Sequence, residues 1–294
     1  MHLLDPCNDL VFKLLLTRRP ELLPDMLTGI LERPILYATV INPTIPTGLP
    51  TDKEIALDIR AELDDGSRAD VEMQRRIPPA LRPRLVYYGA RDYADQLDRG
   101  DGYHFLEPTA VVAWLVEPLF PKLGFHPLFE LRDRYTNARL SDHLAVHLLQ
   151  LNALSRATTT GYAAIVQRWA RFFLADPIEL AKLASEDPIM SIAKQTLEEL
   201  SRDPVTRRLA RDREDARKLY LMDLAVSEAN GEAKGKIEGK TEGKAEVLLE
   251  LLQLRFGSVP EATRAKVDDA KLPQLDVWVA RVLTAKTLEE VFAQ

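Results

Sequence analysis

The chain reads as an α/β protein: a mixed sheet flanked by helices, followed by a helical region and a small all-α C-terminal domain. Three patterns carry this. Residues 55–74, IALDIRAELDDGSRADVEMQ, alternate apolar and polar letters around a tight turn. Residues 109–116 form a short apolar run suited to a buried strand and too short to span a bilayer. Residues 9–31 and most of the chain after residue 152 repeat apolar letters at helical spacing.

In chain order, residues 9–31 read as a helix with Pro34 beyond its end. Residues 38–51, rich in Pro and Thr, read as a loop. The alternating segment then reads as a hairpin. Ile55, Leu57, Ile59, Ala61 and Leu63 are apolar, and Asp58, Arg60 and Glu62 are polar. After the turn, Ala69, Val71 and Met73 are apolar, and Arg68, Asp70, Glu72 and Gln74 are polar. Asp64-Asp65-Gly66 is a turn signal. Apolar must face apolar across the strands, which requires a loop of odd length. A three-residue loop with Gly66 left-handed satisfies this. Leu63 then opposes Ser67 and Asp58 opposes Glu72, with Cβ atoms roughly 4.5–5.5 Å apart. Two carboxylates that close repel unless a cation or a proton lies between them. Gln74 projects from the same face, so Asp58, Glu72 and Gln74 form a candidate metal-facing set. A hairpin with one wet face, its acids neutralised by Arg60 or Arg68, fits the same letters.

Residues 75–91, RRIPPALRPRLVYYGAR, hold five arginines and no acid. Pro79 and Pro83 confine a helix to starting near them, and it runs to about residue 97. Arg84, Tyr87, Tyr88 and Arg91 recur at three- and four-residue spacing and share a face. Arginine pairs with phosphate and tyrosine stacks or hydrogen-bonds, which suits a nucleic-acid-facing helix. An amphipathic helix with core tyrosines and solvated arginines is the plainer alternative.

Residues 98–102 read as a turn and 103–116 as a central strand. Residues 125–134 and 142–151 suit a second hairpin extending the sheet, with His143 and His147 as structural residues of its strand. Residues 152–230 read as helices broken near Pro177, Pro188 and Pro204, with Trp169, Phe172 and Phe173 in their core. That layer either covers the sheet or forms a separate bundle. Residues 231–246 repeat GEAK, GKIE, GKTE, GKAE, placing Gly231, Gly235, Gly239 and Gly243 every fourth residue. On a helix these make a slowly drifting stripe where a second helix can approach, a route to a homodimer. A flexible charged linker has the same composition. Residues 247–294 are compact, with Gly257 stopping one helix and Pro260 opening the next. The expected division is therefore 1–151, 152–230, 231–246 and 247–294.

Composition narrows the function classes. A net charge of −6 over 294 residues argues against nonspecific coating of nucleic acid but allows a local basic cleft. One cysteine, Cys7, excludes an internal disulfide and a cysteine-based zinc finger, as expected of a reducing cytoplasm. No GxSxG, Walker or GxGxxG element is present, and no secretory segment or membrane span is expected.

An acid on one strand followed by Glu-x-Gln on the next resembles the PD-(D/E)XK nuclease superfamily, whose sheet is restriction-endonuclease-like. More closely, residues 5–125 resemble the Rpn-type recombination-promoting nuclease and transposase family. The matching pieces come in the family's order: Asn8-Asp9, Phe12-Lys13, the Asp58 strand, Val71-Glu72-Met73-Gln74, Arg84 with Tyr87-Tyr88, Tyr93, Gln96-Leu97, Gly100, Tyr103 and the strand 110–116. The tail resembles a small helical domain often found behind such nucleases. The resemblance implies a metal-dependent DNA endonuclease, with Asp58, Glu72 and the Met73 carbonyl as ligands of Mg²⁺ or Mn²⁺. Gln74, where the superfamily has lysine, would orient water without supplying charge. Arg75, Arg76, Arg84, Tyr88 and Arg91 would face DNA, and Asp9 and Lys13 would be auxiliary. For Asp9, a helix-terminal charge is the alternative. A nuclease fold that binds DNA or protein without turnover is the runner-up for the whole chain.

Overall fold

The computed structural model describes residues 2–41, 44–45, 55–56, 59–155 and 159–293. Two helices, α1 (Asp9–Arg18) and α2 (Leu22–Ile30), replace the single helix expected over residues 9–31. Pro20 is the cause, because it pushes Arg19 into extended backbone (φ −122°, ψ 122°). Asn8 caps α1 by accepting from the N–H groups of Leu10 and Val11.

The stretch expected as a loop begins with a strand, β1 (Ala38–Ile41), antiparallel to β4 (Ile59–Leu63). Thr39 and Val40 of this edge strand are exposed, so it lacks the apolar alternation that reveals a half-buried strand. Between them, β2 (Thr44–Ile45) and β3 (Ile55–Ala56) pair by themselves. β4 turns into β5 (Arg68–Gln74) in the expected register: Ile59 opposes Val71, and Ala61 opposes Ala69. The Leu63 N–H donates to the Ser67 carbonyl at 2.8 Å, closing the three-residue loop, and Gly66 has φ 86°.

Helix α3 (Leu81–Ala94) crosses from β5 to β6 (Thr109–Leu115), which is parallel to it. Residues 103–108, expected as strand, instead include a 3₁₀ turn over Tyr103–Phe105. β7 (Leu128–Glu130) is antiparallel to β8 (Leu144–Gln150), and β8 is parallel to β6. The strand order is β1-β4-β5-β6-β8-β7. Every residue of β6 is buried, as its unbroken apolar run requires of a strand covered on both faces.

Helix α4 (Gly161–Leu174) is followed by α5 (Pro177–Glu186) and α6 (Pro188–Arg202), which begin where the prolines predict, each with proline in the first turn behind a capping aspartate. They cover the sheet and do not stand apart as a bundle. Phe12, Trp169, Phe172 and Phe173 share one core with Ile59, Val71, Val112 and Trp114. On the opposite face, Leu81 and Leu85 pack on Val111, Ala113 and Leu148. A Cβ on Gly89 would lie 2.8 Å from Leu144 Cδ1 and 2.9 Å from Val111 Cγ2, so α3 lies this close because residue 89 has no side chain.

The described chain divides into two compact units, Met1–Glu214 and Asp215–Gln294. The 53-residue helix α7 (Pro204–Phe256) contains residues 231–246, and a Cβ at any of the four repeat glycines would meet nothing within 4 Å. Gly257 (φ 82°) ends it. Then α8 (Glu261–Asp268), α9 (Leu272–Val282) and α10 (Leu288–Val291) enclose a second core around Leu248, Leu252, Leu275 and Trp278. Among the described residues, no helix is long and apolar enough to cross a membrane.

The histidines of the second hairpin give the fold a pH dependence. His126 Nε2 and His147 Nδ1 lie 3.0 Å apart, and His143 Nδ1 lies 2.9 Å from the Tyr93 hydroxyl. Burial lowers the His126 pKa to about 4; burial, with His126 adding to it, lowers that of His147 to about 3. Unfolded, each imidazole protonates near 6.5. As pH falls below 6.5 the unfolded chain takes up protons that the fold refuses, so this stability is complete above 6.5 and is lost toward 4 and below. Between pH 6.5 and 5 the loss is about 2 kcal/mol per imidazole. Urea unfolding at the two pH values should show it, and His147→Gln should flatten the difference; an equal slope in the variant would contradict this account.

Candidate functional site

The face of β5 turned toward α3 carries Arg68, Asp70, Glu72 and Gln74, and Arg60 opposes Asp70. The alternation set this arrangement, but the face is not wet: Arg60, Asp70 and Glu72 are all buried. Asp58, the first acid of the expected set, lies outside the described residues. Glu72 is 3% exposed. Its Oε2 accepts from Gln74 Nε2 at 3.1 Å and from Arg84 at 3.4 Å. Burial raises the Glu72 pKa, with Arg84 and Gln74 acting against it. A cation beside this carboxylate would restore its charged form.

The neutralisation expected of Arg60 and Arg68 goes to a residue that the sequence reading passed over. Asp92 of α3 is fully buried and forms ion pairs with Arg60 and, at 3.3 Å, with Arg68. It follows directly after the acid-free stretch 75–91. Its signal was its phase: Leu81, Leu85, Gly89 and Asp92 form the buried stripe of α3, so the acid stands on the sheet-facing side. Asp70 lies between this cluster and Glu72. Neither of its carboxylate oxygens has a hydrogen-bond partner among the described residues. Burial and then Asp92 push its pKa well above the ordinary range. Burial raises Asp92 too, but Asp92 holds both guanidinium groups. The proton therefore rests on Asp70 and the charge on Asp92.

The expected DNA-facing residues form a partly different surface. Arg84, Tyr88 and Arg91 flank the buried stripe, half-buried, whereas Tyr87 turns outward and is 49% exposed. The arginines engage carboxylates: Arg75 with Asp5 and Glu214 at 3.1 Å each, Arg76 with Glu117 at 3.8 Å, Arg84 with Glu72, and Arg91 with Asp95 at 3.3 Å. Arg84 also lies over the Tyr88 ring. Asp9 pairs with Arg213, while Lys13, one turn along α1, is half-buried. The Arg75–Glu214 and Asp9–Arg213 pairs join residues more than a hundred positions apart, which letter patterns cannot disclose.

The donors present fit a hard divalent cation. Glu72 and the Met73 carbonyl offer the oxygen donors that such cations take. Among the described residues no group of three or more His, Cys, Asp or Glu side chains converges as a metal cage.

The charge assignment is testable by urea unfolding. Asp92→Ala leaves the buried Arg60 and the half-buried Arg68 guanidinium groups without this partner and should cost ~3–5 kcal/mol. Asp70→Asn replaces a neutral group by a neutral group and should cost less than ~1 kcal/mol. Equal losses would refute the assignment.

No curated protein and no solved structure matches the chain. The model of one family, described as PD-(D/E)XK nuclease family transposase, matches residues 6–229, well over half the chain. With a hairpin that buries Glu72 and bonds Gln74 to it, and with that match, the chain belongs to the family of PD-(D/E)XK nuclease family transposases.

Proposed function

We propose that the chain is a metal-dependent DNA endonuclease, acting in recombination or on mobile elements, with its site on the β4–β5 hairpin. The observation that carries the reading is Glu72: a carboxylate buried to 3% exposure, with Gln74 bonded to it, at the position the family resemblance gives to a metal ligand. PD-(D/E)XK nucleases generally use divalent metals, and a nuclease family implies a DNA substrate. Here Mg²⁺ or Mn²⁺ suits the oxygen donors.

In this reading Asp58, Glu72 and the Met73 carbonyl would hold the ion. When bound, it supplies Lewis-acid polarisation of the scissile phosphate and acidifies a nucleophilic water. Gln74, its amide bonded to Glu72, would orient an attacking water. Being neutral, it offers no charge to the phosphate. Arg84 is the nearest cation to Glu72 and can turn toward the phosphate from its 3.4 Å contact. Burial beneath α3 keeps bulk water off the carboxylate and strengthens each of these interactions.

The second reading is a nuclease fold that binds DNA or protein without turnover. It draws on Gln74 at the superfamily's lysine position and on Arg84 already occupying Glu72. In either reading a second copy can pair along the open glycine face of residues 231–246. Nicking of supercoiled plasmid in Mg²⁺ or Mn²⁺ separates the two. The endonuclease reading expects nicking that Asp58→Ala, purified identically, lowers about a hundredfold or more. Equal nicking by both proteins would move the activity off this hairpin, and none from either would favour the binding module.

A further inference from the structure

The arginines that the sequence marks for DNA are largely engaged by carboxylates, and the structure supplies others. A cavity of about 550 Å³ opens beside the end of β5. Its charged lining is Arg75, Arg207 and Arg211 against Asp5 and Glu214, three cations to two anions. Arg75 holds both of those acids itself. Arg207 and Arg211 are exposed and have no ion-pair partner among the described residues. They stand one turn apart on the first turns of α7, a spacing that sets like charges side by side and disfavours the helix unless an anion lies between them.

This part of α7 is firmly placed. Thr206 and Ala210 are buried, the Ala210 carbonyl accepts from Asn8 Nδ2 at 3.3 Å, and Arg213 pairs with Asp9 of α1. The two guanidinium groups are thus presented from a fixed backbone, which lowers the ordering cost of binding. Arg75 is the residue after Gln74. It stands at the bend that ends β5, so the chain places it within roughly 10 Å of Glu72. A nucleic-acid strand with one phosphate at Glu72 would bring neighbouring phosphates to the cavity mouth.

We propose that Arg75, Arg207 and Arg211 form a phosphate cradle for the DNA strand that passes the Glu72 site. The cradle contributes positioning and affinity and reads no bases. It rests on the nuclease reading above, because it needs a DNA strand at Glu72. A planar guanidinium pair suits two phosphate oxygens, and Arg75 can exchange a carboxylate for a phosphate as DNA enters.

The test is fluorescence anisotropy of a labelled DNA duplex with the full chain, over a range of salt, with Ca²⁺ in place of Mg²⁺. Arg207→Gln/Arg211→Gln should bind more weakly, and the slope of log affinity against log salt should become shallower by about two. Arg207→Lys/Arg211→Lys, which keeps the charge, should retain most of the slope. Both side chains are exposed, so neither variant should melt below the unaltered chain. Unchanged affinity and slope in the glutamine variant overturn the cradle while leaving the nuclease reading standing. Absence of salt-dependent binding by the unaltered chain overturns both.

Discussion

The register of one hairpin decides the rest of this structure. A loop of three residues, closed by the Leu63–Ser67 hydrogen bond and relaxed by Gly66, aligns Ile59 with Val71 and Arg60 with Asp70. A slip of one residue would turn every side chain of a strand to the other face. A slip of β5 would take Val71 and Met73 from the core they share with Ile59, Phe12 and Trp169, and Glu72 would enter it. The core thus enforces the register, and the register delivers an unusual load of charge to the face beneath α3.

That load needs compensation. Isolated buried charges are unstable, and a fold either pairs them or keeps them neutral. Both devices are used here. Asp92 answers Arg60 and Arg68, tying α3 to both strands of the hairpin, and Asp70 stays protonated between two other acids. Glu72 is the exception, held by one amide and one 3.4 Å arginine contact, with burial working against its charge. In the proposed function a metal ion would complete the compensation of this carboxylate. Polar groups that a fold leaves short of partners are a common mark of functional sites.

The hairpin was legible because alternation, a turn triplet and a parity argument all act locally. The same holds for β6, whose unbroken apolar run requires burial on both faces, and for α5 and α6, which start at proline. β1 was hidden because an edge strand with exposed Thr39 and Val40 carries a loop's composition. The break in the first helix was written in Pro20 and overlooked in favour of periodicity. Asp92 was readable only by phasing α3 against its buried stripe. The partners of Arg75 and Arg84 were not readable, since ion pairs across the fold leave no trace in spacing. The expected cytoplasmic setting also rests on composition alone. The glycine tetrads show how weakly a local penalty of about 1 kcal/mol per residue binds a long helix. Residues 231–246 are helical despite four of them.

The central claim is that the α3-facing side of this hairpin is a cation site centred on Glu72. Calorimetric titration of Mn²⁺ into the full chain and into Glu72→Gln addresses it without requiring turnover. The account predicts a saturable site in the unaltered chain that the variant, melting at the same temperature, binds at least about tenfold more weakly. Equal affinity in the two proteins would contradict it, and would leave the buried carboxylate without a role in metal binding.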